Sequence, residues 1–453
     1  MNQRNNHRLI LFPLPFQGHI NPMLQLGRIL YARGFSITVL HTNFRAPDPS
    51  SHPHFAFRSI ADGLDQSEAS MSDIPGLISL LNARCASPFE ECLQEMMSLQ
   101  GGEEVPVACL ISDSLFGFTC GVAERLKVRA LMLRTSGAAS LYVYTIYPVL
   151  KEKGYVPTHG SRSEEAVKEF PPLLVGDIPA IDSKEPEVMS RLLDDLIKAI
   201  KNSCGVILNT FEELEHPDLT SLREVLSVPF FPIGPSHKCC MTSSSSSLLA
   251  EDRSCISWLD EQPLKSVIYV SFGSLAAMSE AEILEIALGL AESEQPFLWV
   301  VRPGSVHNPE WLEKLPSRFL EALEGRGKIV KWAPQVEVLA HPAVGAFWTH
   351  NGWNSTVESI SEGVPMLCMP CFADQGVNAR YVSDVWRVGV HLNGGLEREN
   401  IARAIKRVLV DREGEDIRQR ALVLKEKAIV CLGQGGSSYQ ALDALVSHIL
   451  SCE

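Results

Sequence analysis

Short apolar runs of four to six residues recur along the whole chain, each parted from the next by a stretch of helical periodicity. In the first half the runs are Leu9–Leu14, Ser36–His41, Ala108–Ser112, Arg129–Arg134 and Gly205–Asn209, with helical patterns at Pro22–Arg33 and Phe116–Leu126. In the second half they are Ser266–Ser271, Phe297–Val301, Lys328–Lys331, Gly345–Thr349 and Pro365–Met369. Glu280–Ala291, Thr356–Glu362 and Val377–Val388 carry the helical pattern between them. Runs that are apolar throughout read as strands buried on both faces, and their alternation with helices reads as βαβ units around a parallel sheet. The class expected is therefore α/β, doubly wound, with ligands at the carboxyl ends of the strands.

The pattern occurs twice, on either side of the serine tract Thr242–Ser247, and serine runs behave as flexible linkers. The expected division is a first domain at 1–237, a Ser-rich linker at 238–250, a second domain at 251–436 and a closing helix at 437–453. That helix is expected to pack back on the first domain, with Ser437 or Ser438 as N-cap. At roughly 150 residues per domain, 453 residues allow two or three domains, and the serine tract with the doubled pattern narrows this to two.

Charge and composition remove several classes. Forty Lys and Arg against 54 Asp and Glu leave a net charge of −14, without the basic excess that a nucleic-acid binder needs. Twelve scattered cysteines fit reduced thiols in the cytosol better than a disulfide scaffold. Cys368 and Cys371 form a lone C-x-x-C without a second Cys/His pair, so core packing is expected there and no metal site. The opening MNQRNNHR–LILFPLPF imitates a secretory leader, but its two prolines and missing cleavage pattern favour a buried first strand. No stretch reaches the ~18 uninterrupted apolar residues of a membrane span. A dinucleotide fingerprint and a phosphate-binding G-x-x-x-x-G-K-[ST] loop are both missing from the sequence.

The densest polar constellation runs from Trp332 to Gln375, WAPQVEVLAHPAVGAFWTHNGWNSTVESISEGVPMLCMPCFADQ. A strand ending at Thr349–His350 meets a turn, Asn351–Gly352, and a helix begins near Asn354. A helix N-terminus offers free N–H groups and a positive dipole end, a ready site for phosphate. His350 can donate to the same anion, and Glu358, one turn into the helix, can accept from ribose hydroxyls. Asp374 and Gln375 end the loop after the next strand and suit sugar hydroxyls, while Trp332 offers a face for a base. In the first half, His19 follows the first strand in QGHINP and Asp113 ends the strand ACLISD. A neutral imidazole there can take a proton from an acceptor hydroxyl or amine, with Asp113 fixing its tautomer. Pro22 is expected to start the helix that follows.

The 44-residue block resembles the signature of plant UDP-dependent secondary product glycosyltransferases, and the likeness extends over nearly the whole chain. FPLPFQGHINPMLQL, FSITVLHTNF, SFGS at 271–274 and QPFLWVVRPG resemble the branch with cytokinin and steviol-glycoside glucosyltransferases. The resemblance implies a GT-B fold, two facing Rossmann-like domains with a cleft between them. It implies that Trp332 stacks on uracil with Ala333 supplying backbone contacts, and that Gln335 and Glu358 hold the ribose. His350, Asn354, Ser355 and Ser274 would bind the diphosphate. Trp353, Asp374 and Gln375 would hold the sugar, approached by Thr135 from the other domain. It assigns His19 and Asp113 as the catalytic pair, and Trp353 with Gln375 favours glucose.

The activity implied is inverting transfer of glucose from UDP-glucose to a hydroxyl or amine of a small, largely apolar plant metabolite, giving a β-glucoside. UDP-glucose is a co-substrate, so no cofactor is expected, and no metal either, since the sequence carries no D-x-D. Phe16, Phe116, Phe372 and Ala373 lie beside motif ends and are candidates for the acceptor pocket, along with loops around 75–95, 115–145 and 180–200. A monomer in the cytoplasm is expected, with only the UDP-sugar and the acceptor as partners. Rival readings are another donor (UDP-xylose or UDP-galactose), a non-catalytic UDP-sugar-binding protein, and a nicotinamide-dependent oxidoreductase. Glu212, Glu213 and Glu215 read as a solvated helix start.

Overall fold

A computed structural model describes residues 7–65, 68, 73–98, 106–156, 162–179, 186–239, 249–276, 278–305, 315–392 and 394–451. The tract Thr242–Ser247 and most of the expected linker lie outside the described residues. The chain forms two compact units, Met1–Lys153 with Ala180–Leu248 and Val430–Glu453, and Gly154–Pro179 with Leu249–Ile429. This differs from the contiguous division read from the sequence, because 154–179 joins the second unit and the chain rejoins the first at 430. The tie is an ion pair: Asp177 Oδ2 accepts from Arg380 Nε at 2.8 Å, and both groups are largely buried.

Among the described residues the first unit holds a seven-stranded parallel sheet in the order β3-β2-β1-β4-β5-β6-β7. Its strands are β1 Arg8–Phe12, β2 Ser36–Thr42, β3 Ala56–Ile60, β4 Val107–Asp113, β5 Ala130–Arg134, β6 Val206–Leu208 and β7 Phe230–Pro232. Alternate side chains feed two cores. Ile10, Phe12, Leu110, Met132 and Leu208 pack under the helix Ile74–Ser98, while Leu9, Leu11, Ile111, Leu133 and Ile207 pack under Gln17–Ala32. Both faces are covered, which is why the strands read as apolar without a break. The second unit has a six-stranded parallel sheet, β10-β9-β8-β11-β12-β13. Here the strands are β8 Val267–Ser271, β9 Phe297–Val300, β10 Gly327–Val330, β11 Val344–Thr349, β12 Met366–Cys368 and β13 Gly389–His391. In each sheet the strand order reverses beside the first strand, between β1 and β4 and between β8 and β11. Crevices for ligands form at such reversals.

Three local expectations change. The helix after β1 starts at Gln17 rather than Pro22, because the Phe16 carbonyl accepts from His19 N and Ile20 N at 2.9 and 2.8 Å. His19 is thus fixed in a first helical turn. The closing helix Ser437–Leu450 is capped by Gly436 without a side-chain bond. Its serines look outward instead, Ser438 Oγ donating to the Gly234 carbonyl at 2.6 Å and Ser437 Oγ to Glu213 at 2.7 Å. Glu215 is not solvated: its side chain is fully buried, and its two oxygens accept from Ala138 N and Ala139 N at 2.9 Å each. Burial, with Asp218 nearby, pushes this carboxyl up to about 7.

Leu445 and Ile449 of the closing helix enter the same core as β1 and β4. Leu445→Ala should therefore lower stability by about 2–5 kcal/mol, the range for a truncated core leucine. Leu264, which is 78% exposed, is the control, and equal melting shifts for Leu445→Ala and Leu264→Ala would contradict the packing.

Candidate active site

In the first unit the reversal of strand order brings the residues after β1 beside the end of β4. His19 Nδ1 lies 2.7 Å from Asp113 Oδ2. A carboxylate only accepts, so Nδ1 carries the proton and the Nε2 lone pair is left for chemistry. Asp113 is fully buried, and its other oxygen accepts from the Leu115 N–H at 3.0 Å. The imidazole remains 21% exposed at its side chain. Thr135, just past β5, brings Oγ1 within 3.0 Å of the same His19 Nδ1, so its hydroxyl belongs to the His–Asp array of its own unit. The imidazole is thus oriented by two side-chain oxygens.

The aromatic candidates separate. Phe116 is fully buried and stacks on Phe12 at 4.4 Å, which makes it core rather than pocket wall. Phe16 is also buried but turns its edge to the imidazole, ring centroids 6.1 Å apart. Phe372 is half-buried against the core of the second unit, next to Ala373 in a left-handed conformation, φ 57°. Of the expected acceptor loops, 75–95 lies within the helix Ile74–Ser98, and 180–185 falls outside the described residues.

In the second unit β11 delivers His350 to the other reversal. Asn351 turns the chain with φ 60°, and the helix Trp353–Glu362 starts from Gly352 with no side-chain cap. The first-turn amides of Trp353, Asn354 and Ser355 thus face outward at a positive dipole end. His350 is wedged between two glycines: a Cβ on Gly273 or on Gly352 would lie 2.5 Å from Nε2. Burial pushes the imidazole down to about 4, so at neutral pH it is an uncharged donor. Ser274 follows Gly273 after β8 and is half-buried. Gln335 links the ribose candidates, its Nε2 donating to Glu358 Oε2 at 2.7 Å and to Ser355 Oγ at 2.9 Å. Burial pushes Glu358 up to about 7. Trp332 is half-buried and its carbonyl accepts from Asp252 N at 2.9 Å, while Ala333 is buried.

The Trp353 ring is buried beside Trp386, centroids 6.3 Å apart, which leaves mainly its backbone N–H for a ligand. Gln375 is buried as well, and its Oε1 accepts from Cys371 N and Phe372 N at 2.8 and 3.0 Å. Cys368 is buried and its sulfur accepts from Asn351 Nδ2 at 3.3 Å. Among the described residues no group of three His, Cys, Asp or Glu side chains gathers for a metal ion.

The family described as UDP-glucoronosyl and UDP-glucosyl transferase matches residues 195–429. UDP-glycosyltransferase 76F2 of Arabidopsis thaliana is 51% identical over all of this chain and 98% of its own length. UDP-glycosyltransferase 76G1 of Stevia rebaudiana is 50% identical over 99% of this chain and 98% of its own. The chain belongs to the UDP-glycosyltransferase family. A UDP-glucose:anthocyanidin 3-O-glucosyltransferase solved with UDP is similar at 27% identity and TM-score 0.84, covering 99% of this chain and 100% of that one. Phytolacca americana UGT2, solved with UDP-2-fluoroglucose and pterostilbene, has TM-score 0.81 at 28% identity, covering 98% and 100%. The two Rossmann-like units follow the GT-B plan of these enzymes.

As a UDP-glycosyltransferase, the chain binds a UDP-sugar and transfers its sugar to an acceptor. Sequence reasoning missed Asn378, whose Nδ2 donates to the Asn351 carbonyl at 3.0 Å and to Asp374 Oδ2 at 3.3 Å. It ties the Asn351 turn to the Asp374 loop, and one turn after Asp374 (i, i+4) was the available signal. Among the described residues no helix is long and apolar enough to cross a membrane.

The Glu358 carboxyl yields a pH signature. Its ordinary value is 4.5 and its folded value about 7, so the native state holds the proton more tightly and stability falls as pH climbs through that window. Glu358→Gln should therefore melt higher than the wild type at about pH 8, with the gap closing toward about pH 4.5. A melting difference independent of pH would contradict the assignment.

Proposed function

We propose that this UDP-glycosyltransferase is an inverting glucosyltransferase that carries glucose from UDP-glucose to a hydroxyl or amine of a small, largely apolar plant metabolite. The observation that carries the reading is the His19–Asp113 contact at 2.7 Å, placed where the strand order of the first unit reverses. His19 Nε2 takes the proton as the acceptor oxygen attacks C1 of the α-linked sugar. The C1–O bond to the diphosphate breaks in the same displacement, and the product is a β-glucoside. Asp113 stabilises the imidazolium that forms, and Thr135 limits the ring's rotation.

The leaving diphosphate is met by the first-turn amides of Asn354 and Ser355, by Ser274 and by neutral His350, preorganised dipoles that need no net positive charge. Trp332 stacks on uracil beside Ala333, and Gln335 with Glu358 takes the ribose hydroxyls. Asp374 and the Nε2 of Gln375 hold the glucose, with the Trp353 N–H at its edge. The further reading is a monomer in the cytoplasm, of which the compartment is supported by the free thiols of all ten described cysteines.

His19→Ala should lower kcat about 10²- to 10⁴-fold, the span of a positioned general base, with UDP affinity in calorimetry kept. Asp113→Asn should lower it through the wrong tautomer. Full turnover by His19→Ala with an alcohol acceptor would overturn the assignment.

A further inference from the structure

The last residue of β5, Arg134, is only 4% exposed. Its Nε is enclosed without a hydrogen-bond partner, and its recorded contact is stacking, Cζ lying 5.0 Å from the Tyr144 ring centroid. Among the described residues no carboxylate pairs with it. Leaving a buried guanidinium without a counter-charge is costly, so a partner from outside the chain is the natural complement. The buried carboxylate Glu215 has committed both oxygens to the Ala138 and Ala139 amides.

The surroundings are polar and equally unspent. Ala130 and Met132 face the core under the helix Ile74–Ser98, so the period of two along β5 turns Arg134 to the same side, beside its register partner Leu208. Asp113 pairs with Leu133, which places Ser114 next to Arg134 on the neighbouring strand end. Ser114 Oγ and Ser140 Oγ are both fully buried and without a partner. Ser140 lies one turn before Tyr144 in the helix Ala138–Thr145, on the face that meets Arg134. Arg134 also immediately precedes Thr135, whose hydroxyl contacts His19 Nδ1. Guanidinium and two hydroxyls therefore gather at the carboxyl end of β5, one residue before the Thr135 that contacts His19.

We propose that Arg134, with Ser114 and Ser140, receives a carboxylate of the acceptor, so that this enzyme selects acceptors carrying an anionic group on an otherwise apolar frame. The fork of the guanidinium matches two carboxylate oxygens, and the serine hydroxyls donate to the remaining lone pairs. The inference rests on His19 as the base that meets the acceptor. It makes Arg134 a residue of specificity rather than of chemistry.

The test compares 4-hydroxybenzoate with 4-hydroxybenzamide as acceptors for wild type, Arg134→Gln and Arg134→Lys. The expected result is a kcat/KM ratio favouring the carboxylate in the wild type that falls about ten- to a hundredfold in Arg134→Gln, the scale of one hydrogen bond to a charged group. Arg134→Lys should recover part of the ratio. Benzoate alone, which cannot accept glucose at a hydroxyl, should raise the melting temperature of the wild type and not of Arg134→Gln. A ratio unchanged by the substitution, or a wild type indifferent to benzoate, would overturn the proposal. Arg134-dependent benzoate binding in an enzyme that His19→Ala leaves fully active would instead sustain the anion site and remove His19 as base.

Discussion

A parallel sheet delivers the carboxyl end of every strand to one edge, and most of what this chain does follows from that constraint. Residues far apart in sequence, such as His19 and Asp113 or Gly273 and His350, meet because their strands end together. The reversal of strand order then opens a place for a ligand between two neighbouring ends. The chain uses the device twice, once for the His19–Asp113–Thr135 array and once for an uncapped helix start. The two edges differ in chemistry and share a topology.

The proposed anion site on the second edge needs no cationic side chain: first-turn amides and the half-buried His350 imidazole, uncharged at neutral pH, would face a nucleoside diphosphate, which suits a chain of net charge −14. The first edge keeps its ionic parts buried and committed: Asp113 to His19, Glu215 to a helix start. Arg134 stands out against that economy, which is the physical reason for assigning it a partner from the acceptor.

The proposed donor residues lie in one continuous block, Trp332–Gln375, and the turn and helix start signalled there by the sequence are present in the structure. The long buried strands were legible from unbroken apolar runs. The edge strands β3 and β13 and the three-residue β7 were not, since half-exposed or very short strands carry little periodicity. Pro22 misplaced a helix start, because the Phe16 carbonyl organises the turn before it. Glu215 looked solvated beside Glu212 and Glu213, and its burial depends on amides about 75 residues away that no local pattern reveals. Segment 154–179 joins the second unit through long-range contacts such as the Arg380–Asp177 pair and the packing of Gly376 on the Asp177 backbone, equally invisible along the chain.

The central claim is a single displacement at C1 by an acceptor deprotonated at His19, and product stereochemistry tests it most directly. Proton NMR of the glucoside, taken early in a reaction started with α-linked UDP-glucose, should show the large trans-diaxial coupling of a β-anomeric proton. A small coupling from an α-glucoside would contradict the account, since retention demands a second displacement or a front-side departure in place of a single inversion at C1.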